Sequence, residues 1–124
     1  MAHPRFSCSV QVQALPEQTQ AEQGLYAYSY TVTIENSGDV SAQLVAREWL
    51  ISDSRGQTQE VRGLAVVGHQ PLLAPGQKFQ YSSWAQIATP QGSMRGRYLC
   101  VTEDAEVFYA EIPEFALAEA GTLH

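Results

Sequence analysis

Tyr26-Ala27-Tyr28-Ser29-Tyr30-Thr31-Val32-Thr33-Ile34-Glu35 decides the fold class. Tyr26, Tyr28, Tyr30, Val32 and Ile34 occupy every second position, with Ala27, Ser29, Thr31, Thr33 and Glu35 between them. A helix would scatter that row around its circumference, whereas an extended chain lines it up on one face. The segment therefore reads as a half-buried strand. Upstream, Phe6, Cys8, Val10 and Val12 alternate with Ser7, Ser9, Gln11 and Gln13 in the same way, and polar residues from Pro16 to Gly24 read as a loop.

Downstream, Asn36-Ser37-Gly38-Asp39 is a turn signal, which predicts a hairpin between the second and third strands. The third strand is expected from about Ser41 to Ser52. Val45, Arg47, Trp49 and Ile51 share one face there and Leu44, Ala46 and Leu50 the other. Two partly apolar faces predict a central strand. Asp53-Ser54-Arg55-Gly56 turns the chain into a short strand, Thr58 to Arg62. Gly63 to Gly76 reads as an ordered excursion. Lys78 to Ile87 follows, with Phe79, Tyr81, Ala85 and Ile87 on one face and Trp84 on the other. Beyond the turn Thr89-Pro90-Gln91-Gly92, Met94, Gly96, Tyr98 and Cys100 alternate with Arg95, Arg97, Leu99 and Val101. Glu103-Asp104-Ala105-Glu106 marks a last hairpin. The final strand, from Val107 to Ile112, is expected to stop at Pro113, which has no N–H to give a ladder. From Glu114 to His124 only Phe115 and Leu117 stand out.

About seven strands with turn signals roughly every ten residues, and no helix, predict an all-β fold: an antiparallel β-sandwich or a barrel. At 124 residues, with no internal repeat, residues 1–124 are expected to be one domain. No apolar run approaches the roughly 20 residues that a membrane-spanning helix takes. No long apolar stretch follows Arg5, which predicts no secretory signal and a cytoplasmic protein. Cys8 and Cys100 read as two small buried hydrophobes, with a disulfide open only if the first and sixth strands are neighbours.

The formal charge is −6 and is unevenly spread. Residues 98–124 hold acids only, whereas the middle is basic through Arg47, Arg55, Arg62, Lys78, Arg95 and Arg97. An acidic total argues against general nucleic-acid binding. The basic middle leaves room for a small-anion site, although a solvated surface explains the same charges. Of the histidines, His3 and His124 lie at the chain ends and His69 sits in a loop beside Gln70-Pro71, so no catalytic constellation is expected. No cofactor or metal ligand set is expected either. The acids at 103–106 read as a hairpin tip rather than a cation site. Gly63-Leu64-Ala65-Val66-Val67-Gly68 keeps the outer glycines of a dinucleotide-type Gly-x-Gly-x-x-Gly, but the middle position is Ala65 and no helix follows. Two readings of its apolar contents stay open. Val66 and Val67 form an exposed patch for a partner, or they tuck under the sandwich as a plug.

Several ordered segments carry a family resemblance. They are Arg47–Asp53, Glu60–Gly63, Val66–Gly76, Phe79–Ser83, Thr89–Tyr98 and Ile112-Pro113-Glu114-Phe115-Ala116-Leu117. Together they resemble the signature of the bacterial ApaG family over nearly the whole chain. The resemblance implies an immunoglobulin-like or fibronectin type III-like sandwich, no agreed enzymatic activity, and a loose link to cobalt and magnesium homeostasis. Similar domains are appended to eukaryotic proteins as interaction modules, and a pyrophosphate role has been suggested for the family's glycine motif. This chain departs at Ala65, which weakens the phosphate reading, and at Trp84, where a glycine is usual.

The leading expectation is a non-enzymatic protein-interaction module using the loop Gly63, Leu64, Ala65, Val66, Val67, Gly68, His69, Gln70 and Pro71. The alternative is a binder of pyrophosphate, nucleotide or another small anion on the Gly63–Gly68 loop, with Arg47, Arg62 or Arg95 supplying charge.

Overall fold

The computed structural model describes residues 2–118. Eight strands follow one another: β1 (Phe6–Ala14), β2 (Tyr26–Asn36), β3 (Ala42–Asp53), β4 (Thr58–Leu64), β5 (Leu72–Leu73), β6 (Lys78–Ile87), β7 (Gly92–Thr102) and β8 (Val107–Leu117). One antiparallel sheet has the order β1-β2-β6. The other has the order β4-β3-β7-β8, with β5 continuing the β4 side of β3. The sheets face each other as a β-sandwich, and the aromatic row of β2 lies in the core: Tyr28, Tyr30, Val32 and Ile34 are buried. Trp49 on β3 packs edge-on to Tyr98 of β7, at 6.1 Å between ring centroids, and to Phe115 of β8 at 5.9 Å. Tyr30 joins it from the opposite sheet at 5.5 Å. Such edge-to-face contacts add to the burial of large apolar rings. Phe6 on β1 meets Phe108 on β8 at 5.5 Å, which closes that side of the sandwich.

The expected strands form, and five local readings change. Asn36–Asp39 does not close a hairpin, because β2 and β3 belong to different sheets and the turn carries the chain between them. The buried Asn36 amide holds that crossing by donating to the carbonyls of Val40 and Leu73, at 2.9 and 2.8 Å. In β3 the register against β7 jumps between Leu44 and Ala46, leaving Val45 as an extra residue. A bulge inverts side-chain parity, so Leu44 joins Trp49 and Ile51 in the core in place of Val45. Pro113 does not end the last strand. β8 runs to Leu117 because a second register shift, between Met94 and Gly96, leaves Pro113 out of the ladder on an edge strand. The polar loop after β1 contains two short 3₁₀ turns, Pro16–Gln18 and Ala21–Gln23. Within the excursion, β5 makes an eighth strand. The third strand is central, as its two apolar faces required.

Both cysteines are free, and β1 and β7 lie in opposite sheets. Burial pushes the Cys8 thiol up to about 11; burial and then the nearby Cys8 push Cys100 up to about 12. Tyr81 on β6 and Tyr98 on β7 bond hydroxyl to hydroxyl across the core, and burial raises both phenols well above their ordinary range.

Two predictions follow from this buried polar seam. Tyr81→Phe or Tyr98→Phe alone strands one buried hydroxyl and is expected to cost about 1–2 kcal/mol in urea unfolding, whereas the double variant costs less than the sum of the singles. Folded-state pKa values above the ordinary 9.0 and 10.0 mean that the unfolded chain loses these protons first. Their contribution to stability is full below the unfolded values and fades as pH rises. The urea midpoint is therefore expected to fall as pH climbs above about 9, less steeply in Tyr81→Phe/Tyr98→Phe.

Candidate functional site

The glycine-bounded segment hangs on the bulged edge of β3. Leu64, the last residue of β4, pairs with Ala46, and Leu72, the first of β5, pairs with Gln43. Between these two ladders the Val45 carbonyl accepts the Ala65 N–H at 2.8 Å and the Gln70 side-chain amide at 3.0 Å. Gln43 returns a bond to the Gln70 carbonyl at 3.0 Å, and the Leu44 N–H bonds the carbonyl of Pro71 at 3.0 Å. The loop is therefore sewn to the strand at both of its feet.

Its tip is a two-residue turn. Val66 and His69 exchange both backbone bonds, at 2.8 and 2.9 Å, around Val67 and Gly68. Both central residues have positive φ, +48° and +81°, the pattern of a mirror-image hairpin turn that favours Asn-Gly. Ala65 is also left-handed, at +67°. The two readings of the valines divide between them. Val66 is a plug, fully buried in the core, while Val67 stands 59% exposed at the tip. Leu64 and Leu72, at the two feet, are 73% and 63% exposed. The His69 ring rests against Phe79 at 5.6 Å between centroids and has no hydrogen bond or ion pair among the described residues.

Arg47 points from β3 toward the loop. Its guanidinium donates to the carbonyls of Leu64 and Ala65, both at 2.9 Å. A β-carbon on Gly63 would lie 2.9 Å from that guanidinium, so the glycine makes room for the arginine. The N–H groups of Ala65, Val66 and His69 are engaged with backbone carbonyls. The three candidate anion charges are not brought together. Arg47 caps the loop from the inner side of β3. Arg62 and Arg95 line a groove of about 610 Å³ on the opposite, outer face of the sheet.

That outer face holds groups the periodicity did not single out. The registers place Arg62, Glu48, Arg97 and Glu111 in one row across β4, β3, β7 and β8, alternating in sign. Glu48 accepts from the Arg97 Nε at 3.0 Å and lies 3.7 Å from the Arg62 Nε, and Arg62 also reaches Glu60 at 3.4 Å. The Arg97 guanidinium covers the Tyr109 ring at 4.0 Å. Opposite-charge cross-strand neighbours support a sheet. The row becomes visible only once strand order and register are known. The acids at 103–106 sit on a tight turn closed by Thr102, and no group of three His, Cys, Asp or Glu side chains placed to hold a metal occurs among the described residues. No helix there is long and apolar enough to cross a membrane. His124 lies outside the described residues.

A family model for the ApaG domain matches residues 16–102. The chain belongs to the ApaG family. It is 56% identical over 122 residues to protein ApaG of Ralstonia nicotianae, covering 97% of this chain and 98% of that one. It is 54% identical over 115 residues to protein ApaG of Pseudomonas paraeruginosa, covering 93% and 91%. The crystal structure of the ApaA protein from Bordetella pertussis superposes with a TM-score of 0.92 at 46% identity, over 96% of this chain and 97% of that one. The C-terminal domain of wzt, at a TM-score of 0.54 and 6% identity, shares the fold alone.

The glycine–arginine contact makes a prediction. Arg47→Met strips two carbonyls of a charged donor and is expected to cost about 1–2 kcal/mol. Gly63→Ala is expected to destabilise the natural protein by displacing the guanidinium, and to cost less in the Arg47→Met background. A thermal-denaturation double-mutant cycle measures that coupling.

Proposed function

We propose that this chain is a non-enzymatic binding domain whose β4–β5 loop docks a protein partner. The observation that carries the reading is Val67, an exposed β-branched residue held at φ +48° on a turn tip that Asn or Gly would occupy without strain. Left-handed backbone of this kind costs about 1–3 kcal/mol, and such strain clusters at active sites, ligand clamps and switch regions. The flanking Leu64 and Leu72 add two more exposed apolar side chains on a rigidly anchored platform. A strained, water-facing apolar tip is a poor choice for stability and a good one for inserting into an apolar recess on another protein.

The anion reading has weaker support. Arg47 is tied to two carbonyls, three loop amides are engaged, and Arg62 is ion-paired. In the interaction reading, the link to cobalt and magnesium that the family resemblance implies runs through the partner.

Val67→Asn separates function from folding. It is expected to raise stability by about 1 kcal/mol by relieving the left-handed valine, while weakening partner capture at least as strongly as Val67→Asp. Affinity capture from the native host with quantitative partner identification, run beside thermal melts, checks both halves. Undiminished capture of every partner by both variants would remove this loop as the interface. Calorimetric titration of pyrophosphate and ATP, with and without magnesium, is expected to show no heat at about 1 mM ligand.

A further inference from the structure

The four outermost strands are not equally guarded. An open strand edge offers unpaired N–H and C=O groups to any extended chain, and proteins blunt it with charge, proline, bulges or cover. β8 carries Pro113 and the register shift, β4 carries Glu60 and Arg62, and β1 is closed against β8 through Phe6 and Phe108. β6 has such guards only at its start, where Lys78 lies and the His69 ring rests against Phe79. Its pairing with β2 runs from Lys78 to Ile87 without interruption, and Phe79-Gln80-Tyr81-Ser82-Ser83-Trp84-Ala85-Gln86-Ile87 contains no charge and no proline.

The outward-facing backbone groups follow from the register. The Asn36 N–H donates to the Gln77 carbonyl at 2.9 Å, so odd-numbered residues of β6 bond to β2. Antiparallel alternation then turns the N–H and C=O of Gln80, Ser82, Trp84 and Gln86 to the free side. In the middle of this edge Trp84 stands 63% exposed on the outer face of the sheet, above a shallow apolar shelf shared with Leu15 and Ser29.

We propose that β6 pairs antiparallel with β6 of a second copy of this chain, about a two-fold axis through Ser83. The occupant is argued from self-complementarity, which an isologous interface requires. In this register large residues meet small ones and like meets like. Tyr81 falls opposite Ala85, Trp84 opposite Ser82, Gln80 opposite Gln86, and Phe79 opposite Ile87. The outward-facing pairs are the hydrogen-bonded ones, and the two indoles become diagonal neighbours over the axis on the outer face. The charge-free edge lets two chains of net charge −6 approach there without direct like-charge contact. The product is one continuous six-stranded sheet, β1-β2-β6-β6-β2-β1. Val67 takes no part in this pairing, although His69 of its loop rests against Phe79 at one end of β6, so different residues test the two readings.

Sedimentation velocity up to ~1 mM chain, with amide hydrogen exchange at the low and high ends, tests it. The expected result is a concentration-dependent monomer–dimer shift in which the amides of Gln80, Ser82, Trp84 and Gln86 gain protection and those of Tyr81 and Ala85 do not change. Ser82→Pro removes an outward N–H while leaving the β2 ladder intact, and Trp84→Lys sets like charges across the axis. Each is expected to abolish dimerisation with the fold retained in far-ultraviolet circular dichroism, while Val67→Asn leaves it unchanged. A chain still monomeric at ~1 mM overturns the proposal. So does a dimer that survives both β6 variants, one that Val67→Asn dissolves, or one that forms without protection of those four amides.

Discussion

Val45 stands opposite no residue of β7, and much of the core packing and the placement of the β4–β5 loop follow from that one extra residue. An unbroken β3 would send Leu44 and Trp49 to opposite faces, because alternate side chains point to opposite sides. The bulge puts both into the core and frees the Val45 carbonyl. That carbonyl anchors Ala65 and Gln70, so the packing of the sandwich and the position of the loop are set by the same defect. Arg47, two residues on, closes the arrangement by gathering the carbonyls of Leu64 and Ala65.

The glycine motif takes on a different meaning in this setting. In a dinucleotide-binding loop the glycines let the backbone approach a pyrophosphate at a helix N-terminus. Here Gly63 lets an arginine from the neighbouring strand approach, and Gly68 completes a mirror-image turn. Both glycines serve the protein's own chain. The buried Val66 and the strained Val67 then act as opposite halves of one device. The first pins the loop into the core, and the second uses the rigidity so gained to hold an apolar side chain in water.

The two faces of the large sheet differ in kind. Inside, Trp49, Tyr98, Phe115 and Tyr30 form an aromatic seam between the sheets. Outside, Arg62, Glu48, Arg97 and Glu111 alternate in sign across four strands. Charge of that kind supports the sheet and guards its β4 edge. The contrast leaves the β6 edge, uncharged from Phe79 to Ile87 and with Trp84 on its surface, as the place where the fold invites another strand.

Residue order alone determined the class of this protein, most of its strands and the faces of β1, β2, β6 and β7, because an alternation of period two is a local property that no distant contact needs to supply. It also marked the Gly63–Pro71 loop, since glycines bracketing apolar residues are legible in one dimension. Tertiary structure decided what local order cannot hold. Asn36–Asp39 looks like a hairpin turn from either side, and only the pairing of β2 with β6 and of β3 with β7 makes it a crossing between sheets. Val45 and Val66–Val67 are uniformly apolar in sequence. Val45 is kept out of the core by a one-residue slip against β7, a relation between segments about 50 residues apart that leaves no periodic trace in either, and Val66 and Val67 are divided by the turn that pairs Val66 with His69.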